Sequence, residues 1–291
     1  MENNMNILLC LDKTYLDKAK TMLESLKRFT DKTMTVYIMS HGLKGQSVDN
    51  VLNYLQKKLH ITVNMIDVDS NIVQGMTEGA MDFYSIEMYY RILAQFYIPK
   101  DVQRVLYLDA DIIIKACIDD FYEQSFDEFS LVAIEDVNSP KSHMREHFNK
   151  LGLSKSGRYF NSGVLLMNLV KLRKGRGLQE ILEVISRMQP VLQFPDQDVL
   201  NVLYENDVKY VETAFNCQLN SPEIMESTNY EDMAVLHFAG IYKPWNFRFQ
   251  LKPARYYWEV RLAQGYRLEY VKAQILYRIY KLLLPIKKMF K

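Results

Sequence analysis

Arg104-Val-Leu-Tyr-Leu-Asp109-Ala-Asp111-Ile-Ile-Ile-Lys115 sets two short apolar runs on either side of an Asp-Ala-Asp. Val105 to Leu108 and Ile112 to Ile114 are rich in strand formers and do not alternate with polar residues. That is the pattern of strands buried on both faces in a largely parallel sheet. Two carboxylates at the end of such a strand are costly unless neutralised, and a divalent cation is the economical partner. In a straight strand the i, i+2 spacing sends both side chains to one face, and a bend where the strand ends can aim them at a single ion. The bland alternative is an acidic turn facing water. The apolar residues on both sides favour a site.

Working outward towards the N-terminus, Asn6 to Leu11 reads as a buried strand ending at Asp12. Leu16, Ala19, Met22, Leu23 and Leu26 then follow a helical period. Met34 to Met39 is a second strand, Val51, Leu52, Leu55 and Leu59 mark a second helix, and Ile61 to Ile66 is a third strand. This βαβαβ alternation predicts an α/β fold with a parallel, doubly wound sheet and a ligand crevice at the carboxyl ends of its strands. Asp69 to Asp82, with Gly75 and Gly79, reads as a loop over that crevice. Ser85 to Phe96 reads as a helix carrying Arg91 into the Asp-Ala-Asp strand.

Towards the C-terminus, Leu131 to Ile134 is a strand ending at Glu135 and Asp136, and residues 137 to 157 read as a polar excursion. Phe160 to Leu169 combines an Asn161-Ser-Gly turn with a buried strand, and Leu178 to Met188 is an amphipathic helix. Pro195-Asp-Gln-Asp198 opens a helix to about Tyr204, since early proline and first-turn acids suit a helix start. Met233 to Phe238 is a last strand leading to His237-Phe-Ala-Gly240 and Lys243-Pro-Trp245. One domain over residues 1–250, extended by a helical segment over 251–291, is the simplest account.

The bulk composition narrows the partners. Lys+Arg 36 against Asp+Glu 35 gives no global attraction to a polyanion, so a nucleic-acid partner is not expected. Cys10, Cys117 and Cys217 are odd in number and have no metal spacing, which predicts free thiols in a reducing, cytoplasmic setting. No signal-like stretch opens the chain, and no apolar run approaches the roughly 20 residues that span a bilayer. The tail is different. Leu268, Val271, Ile275, Ile279, Leu282 and Ile286 form one stripe, and from Tyr266 onward seven bases face Glu269 alone. A basic amphipathic helix of this kind fits peripheral contact with an anionic membrane, with packing on the domain or a subunit contact as the alternative.

Five ordered blocks give the chain a resemblance: Leu-Asp12-x-x-Tyr15, Tyr-Leu-Asp109-Ala-Asp111, Phe-Asn161-Ser-Gly163-Val, Asp196-Gln197-Asp198 and His237-Phe-Ala-Gly240-Ile-Tyr-Lys243-Pro-Trp245. Over about Asn6 to Trp245 the chain resembles the retaining glycosyltransferases of family eight, which have the GT-A fold. The resemblance implies a hexosyltransferase that takes glucose or galactose from a UDP-sugar and passes it to a saccharide acceptor, lipid-linked or on a cell-surface glycan, with a protein acceptor as the alternative. It implies Asp109, Asp111 and His237 as ligands of Mn²⁺, or of Mg²⁺. Ala110, Gly240 and Lys243 would line the diphosphate, and Asp12, Thr14 and Tyr15 the uridine. Arg91 would contact the sugar and phosphate region, and Asn161, Asp136 (or its neighbour Glu135) and Asp196 the sugar. Gln197 would lie beneath the anomeric carbon, and Asp198 would be structural. Asp12 also suits a helix N-cap. A nucleotidyltransferase on a related sheet would want a glycine-rich phosphate loop after the first strand, and Leu11-Asp-Lys-Thr-Tyr15 has no glycine. A non-enzymatic membrane-binding module is the third reading, and the intact ligand set speaks against it.

Overall fold

The computed structural model describes residues 3–69, 71–74, 86–154 and 158–289. Most of the predicted Asp69–Asp82 loop, together with the side chains of Ile286, Lys287, Lys288 and Lys291, lies outside what is described. Among the described residues ten strands form two sheets. These are β1 (Asn4–Cys10), β2 (Thr33–Ser40), β3 (Thr62–Asp67), β4 (Arg104–Leu108), β5 (Ile112–Ile114), β6 (Leu131–Glu135), β7 (Phe160–Asn168), β8 (Val208–Val211), β9 (Cys217–Gln218) and β10 (Val235–His237). The large sheet runs β3-β2-β1-β4-β7-β6-β8 and the small one β5-β10-β9. Every pairing in the large sheet is parallel except the two that β7 makes with β4 and β6.

The unbroken apolar runs are explained by burial on both faces. Along β4, Val105 and Tyr107 enter one core layer while Leu106 and Leu108 enter the other. In β1, Leu8 faces the first layer while Ile7 and Leu9 face the second. Helix Lys13–Lys27 covers the second layer with Leu16, Ala19, Met22, Leu23 and Leu26. On the other side, helix Leu178–Met188 contributes Ile181 and Ile185, and helix Pro195–Leu203 contributes Val199, Leu200 and Leu203.

The register places the candidate residues. Parallel β1 and β4 are neighbours, with Leu8 opposite Tyr107, so Asp12 and Asp109 follow their carboxyl ends at the same sheet edge. Because β7 is antiparallel to β4 and β6, its first residues reach that edge beside Asp109 and Asp136. An irregularity between Ala133 and Glu135 interrupts the β6–β7 ladder just before Asp136, a common way to re-aim a side chain near a site. The chain then leaves the large sheet: β5 pairs antiparallel with β10, and Ile112 opposite His237 brings the imidazole next to Asp111.

Three local expectations change. Asn161, Ser162 and Gly163 are strand residues of β7, not a turn. Residues 137–157 are not merely polar: helix Ser142–Leu151 buries Met144, Phe148 and Leu151 against Tyr159 and Met188 in a small core of its own. The last strand joins a second sheet that also takes the unpredicted β9. β8 was likewise not evident in the sequence, and it pairs with β6 at the edge of the large sheet.

At the C-terminal end, helix Ala254–Ala263 places Tyr257, Trp258 and Val260 in one cluster with Leu236 of the small sheet and with Phe238, which follows β10. Helix Arg267–Met289 lies against this region through Tyr270 and Ala273, and Tyr280 meets Phe247 edge-on with ring centroids 6.2 Å apart. The predicted stripe faces away from the domain: Leu268, Val271, Ile275, Ile279 and Leu282 are all exposed, Leu268 at 87%. Among the described residues no helix is long and apolar enough to cross a membrane.

Candidate active site

Asp109, Asp111 and His237 converge, each offering a ligand atom within 4.8 Å of the others. His237 Nε2 lies 3.6 Å from Asp109 Oδ2 and 3.3 Å from Asp111 Oδ1. The other Asp109 oxygen accepts the Tyr107 hydroxyl at 2.5 Å and lies 3.1 Å from Arg91 Nη1. Asp111 Oδ2 is paired with the Lys243 ammonium, whereas Asp111 Oδ1 is buried without a hydrogen-bond partner. Burial works to raise the Asp111 carboxyl, but Lys243 and His237 outweigh it and hold the group well below the ordinary carboxylate range. Burial would lower the Lys243 ammonium, and Asp111 reverses this, so both partners are charged.

These residues fit a hard divalent cation. Two carboxylates and an imidazole suit Mn²⁺ or Mg²⁺, and an unpartnered buried oxygen is what a ligand position looks like without its ion. Gly163 makes the approach possible. A Cβ there would stand 2.3 Å from His237 Cε1 and 2.7 Å from Asp109 Oδ2, so only glycine leaves room for the ring and the carboxylate. Its place in the Asn-Ser-Gly block is a matter of space, not of turn chemistry.

Arg91 is no surface charge. It is buried, its guanidinium stacks 4.2 Å above the Tyr107 ring, and it bridges Asp109 and Asp196, the latter 3.2 Å from Nε. Burial opposes its charge, yet Asp109 and Asp196 more than compensate and raise it further above its ordinary range. Asp196 also accepts from Ser162 Oγ at 3.0 Å. Burial pushes the Asp196 carboxyl up despite Arg91.

A second group is built from amides. Gln197 Oε1 accepts from Asn161 Nδ2 at 2.9 Å and from the Ser162 N–H at 3.1 Å, and Gln197 Nε2 donates to Asp136 Oδ2 at 3.1 Å. Of the two acids that end β6, Asp136 belongs to this group, while Glu135 turns to Arg158 at 2.8 Å. Asp198 points the opposite way, to His147 at 2.8 Å and the Tyr159 hydroxyl at 2.5 Å.

At the first strand end, Asp12 Oδ1 caps helix Lys13–Lys27, accepting from the N–H of Thr14 and of Tyr15 and from the Thr14 hydroxyl. The Thr14 hydroxyl is thereby engaged on Asp12. Tyr15 is 39% exposed and meets Trp245 edge-on at 6.1 Å. Lys243, expected to point at a free phosphate position, sits on Asp111, and Gly240 turns the chain between His237 and Lys243 with φ +76°. Ala110 lies between the two aspartates, its side chain packed at the edge of the second core layer.

Asn216 and Gln218 were not singled out in the sequence. Asn216 joins His237 to Asn161 by hydrogen bonds of 3.0 and 2.9 Å. Gln218 ties the end of β6, accepting from Val137 N at 3.0 Å and donating to Glu135 O at 2.9 Å. Their signal is the alternation Asn216-Cys-Gln218-Leu, a two-residue strand with one amide face.

With this geometry in hand, the comparison with known proteins is direct. Residues 6–248 match the model described as Glycosyl transferase family 8, and the chain belongs to that family. It is 28% identical over 252 residues to a lipopolysaccharide 1,2-glucosyltransferase of Escherichia coli, covering 81% of this chain and 71% of that one. To general stress protein A of Bacillus subtilis (strain 168) it is 23% identical over 258 residues, covering 83% and 87%. The crystal structure of the galactosyltransferase LgtC in complex with donor and acceptor sugar analogs superposes with a TM-score of 0.77 at 25% identity, over 88% of this chain and 95% of that one. An active-site mutant of LgtC gives 0.79 at 24% identity, over 89% and 96%. The fold is therefore of the GT-A type, and the protein is a glycosyltransferase.

Proposed function

We propose that this glycosyltransferase is a metal-dependent, retaining hexosyltransferase that moves glucose or galactose from a UDP-sugar to a saccharide acceptor. The observation that carries the reading is the convergence of Asp109, Asp111 and His237, three residues from distant parts of the chain, on one spot at the carboxyl edge of the sheet. Asp109, Asp111 and His237 would hold Mn²⁺ or Mg²⁺, which when bound supplies Lewis-acid stabilisation of the departing diphosphate. Lys243, released from Asp111, adds a point charge to the same diphosphate, with Ala110 and Gly240 beside it. Asp12, Thr14 and Tyr15 form the uridine end, with Tyr15 offering its exposed ring for stacking. Arg91 stays charged and fixes Asp109 and Asp196, while Asp196, Asp136 and Asn161 accept and donate to the sugar hydroxyls.

Gln197 would lie beneath the anomeric carbon. An amide is a poor nucleophile, and this one is held by hydrogen bonds at both ends, so a covalent double displacement through it is disfavoured. Front-face substitution follows: the bond from the anomeric carbon to the diphosphate oxygen breaks, the acceptor oxygen bonds to that carbon on the same face, and its proton goes to the leaving phosphate. The Gln197 carbonyl dipole stabilises the positive charge that builds in between.

The acceptor we favour is a lipid-linked or cell-surface saccharide. Supporting it are the name of the Escherichia coli relative and the outward stripe on helix Arg267–Met289 with Arg267, Lys272, Arg278 and Lys281 along it. In this reading residues 1–250 carry the chemistry, and 251–291 hold the enzyme on an anionic membrane face from the cytoplasmic side. The test is UDP release from UDP-glucose and UDP-galactose with Mn²⁺, with and without EDTA, on free sugars and on vesicles. Metal-dependent release from at least one donor is expected. A lack of turnover together with no UDP-induced thermal shift overturns the donor assignment. Equal vesicle binding by a Lys272→Glu/Arg278→Glu/Lys281→Glu variant overturns the membrane role alone.

A further inference from the structure

Asn216 was not part of any motif, yet it is only 1% exposed and sits between the two halves of the site. Its Oδ1 lies 3.0 Å from His237 Nδ1, and its Nδ2 lies 2.9 Å from Asn161 Oδ1. The orientation of each amide here is set by neighbours that can only donate. The Gly163 N–H, 3.1 Å away, fixes the Asn161 oxygen, and the Ser162 N–H, also 3.1 Å away, fixes the Gln197 oxygen. The Asn161 amino group therefore faces Gln197, the Gln197 amino group faces Asp136 Oδ2, and the Asn216 amino group must face Asn161. That leaves the Asn216 oxygen for His237, so Nδ1 must be the donor.

We propose that Asn216 is a positioning residue that keeps a proton on His237 Nδ1 and so reserves Nε2 for a cation shared with Asp109 and Asp111, and that it links this ring to Gln197 through a one-way chain of amides. The proposal rests on the metal reading of the site. Every donor in the chain points from His237 towards Asp136, so the links polarise one another in the same sense. With Nδ1 committed to Asn216, Nε2 is the nitrogen left for a cation, 3.3 Å from Asp111 Oδ1 and 3.6 Å from Asp109 Oδ2, and a cation bound there replaces any proton it shares with these carboxylates. A cation on Nε2 makes the Nδ1 proton a better donor and so tightens the links as far as Gln197. Ligand geometry on one side and the amide beneath the sugar on the other are then held by one side chain.

Two substitutions separate the two ends. Asn216→Leu removes both links, and Asn216→Asp keeps an acceptor for His237 but loses the donor to Asn161. Mn²⁺ binding is read from the free-ion electron paramagnetic resonance signal in saturating UDP, beside kcat and thermal midpoint. The leucine variant should bind Mn²⁺ about 10- to 100-fold more weakly, the usual effect of losing the partner of a ligating histidine. The aspartate variant should bind within about threefold of the parent, with kcat reduced at least about tenfold. Parental Mn²⁺ affinity in a folded leucine variant overturns the inference, as does equal loss of affinity in both variants. If the parent itself takes up no Mn²⁺, the metal reading fails instead. Should the leucine variant not fold, ¹⁵N shifts of His237 in the Mg²⁺-loaded parent decide the matter: protonated Nδ1 supports the assignment and protonated Nε2 overturns it.

Discussion

Asp111 and Asp198 are both buried aspartates at the active edge of the sheet, but their surroundings treat them in opposite ways. Asp198 is 0% exposed, and its carboxylate faces His147 Nε2, the Tyr159 hydroxyl and the N–H groups of Gln193 and Phe194. Asp111 is 8% exposed, with one oxygen on Lys243 and the other on no donor. Burial alone would class them together. What separates them is satisfaction: a carboxylate with every lone pair engaged is a structural joint, and one with a buried oxygen on no hydrogen-bond donor keeps a position that a ligand can take. Asp198 joins helix Ser142–Leu151 to the start of helix Pro195–Leu203, so its role is to hold Asp196 and Gln197 in place from behind.

The comparison breaks most visibly in two variants. Asp111→Asn removes a ligand and should cut metal-dependent turnover by about 10³-fold or more, the equivalent of several kcal/mol of lost charge stabilisation. The same change should abolish the thermal shift that Mn²⁺ and UDP give the parent. Activity within tenfold of the parent would show that Asp111 is no ligand. Asp198→Ala should act on stability instead. It strands His147, Tyr159 and two backbone N–H groups, which costs about 3–5 kcal/mol in urea unfolding, more than Asp111→Asn costs. If Asp198→Ala loses less than about 1 kcal/mol, satisfaction does not mark the structural carboxylate.

How much of this was legible beforehand follows the same division. The inner strands of the large sheet could be read because burial on both faces leaves continuous apolar runs, as in Val105–Leu108 of β4 and Val164–Met167 of β7, whereas the edge strand β8, mostly half-buried, gave no such run. Asp109 and Asp111 could be picked out because two carboxylates at the end of an apolar strand have few cheap explanations, whereas His237, which by itself reads as a core histidine, could be picked out only beside Gly240 and Lys243-Pro-Trp245 in the family resemblance. Their meeting could not be read, since it depends on β5 and β10 pairing in a second sheet with only three residues each. Asn216, His147 and Tyr159 were hidden for a related reason. None of the three carries a local cost signal, and the value of each lies in partners 21 to 55 residues away. The tail stripe was visible from its period, but period alone did not say which face meets the domain; Tyr270 and Ala273 take that face and leave the stripe outside.

A third set of carboxylates tests the rule at its mild end, where Glu24 is buried but its paired neighbour Asp17 still reaches water. Arg261, buried in helix Ala254–Ala263, bonds Asp17 Oδ2 at 2.7 Å and Glu269 Oε2 at 2.6 Å, and Gln264 donates to Glu24 Oε2 at 2.9 Å. Asp17 and Glu24 both lie on helix Lys13–Lys27, so this clasp fastens the C-terminal helices to the helix that Asp12 caps. Burial works to raise both carboxyls, but Lys20 and Arg261 hold Asp17 below its ordinary value, and hydrogen bonds from Tyr54, Gln264 and Arg28 do the same for Glu24. A carboxyl depressed in the folded state stabilises fully above its unfolded value of about 4 and loses that contribution as pH falls through the folded value. The thermal midpoint of the parent should therefore exceed that of Asp17→Asn/Glu24→Gln by a constant margin between pH 6 and 8, and the margin should close below about pH 4. Because Asp17 is partly exposed, salt should narrow its share of the margin as well. A margin that widens on acidification would mean that the clasp carboxylates are strained by burial, and pairing would then be no guide to what they contribute.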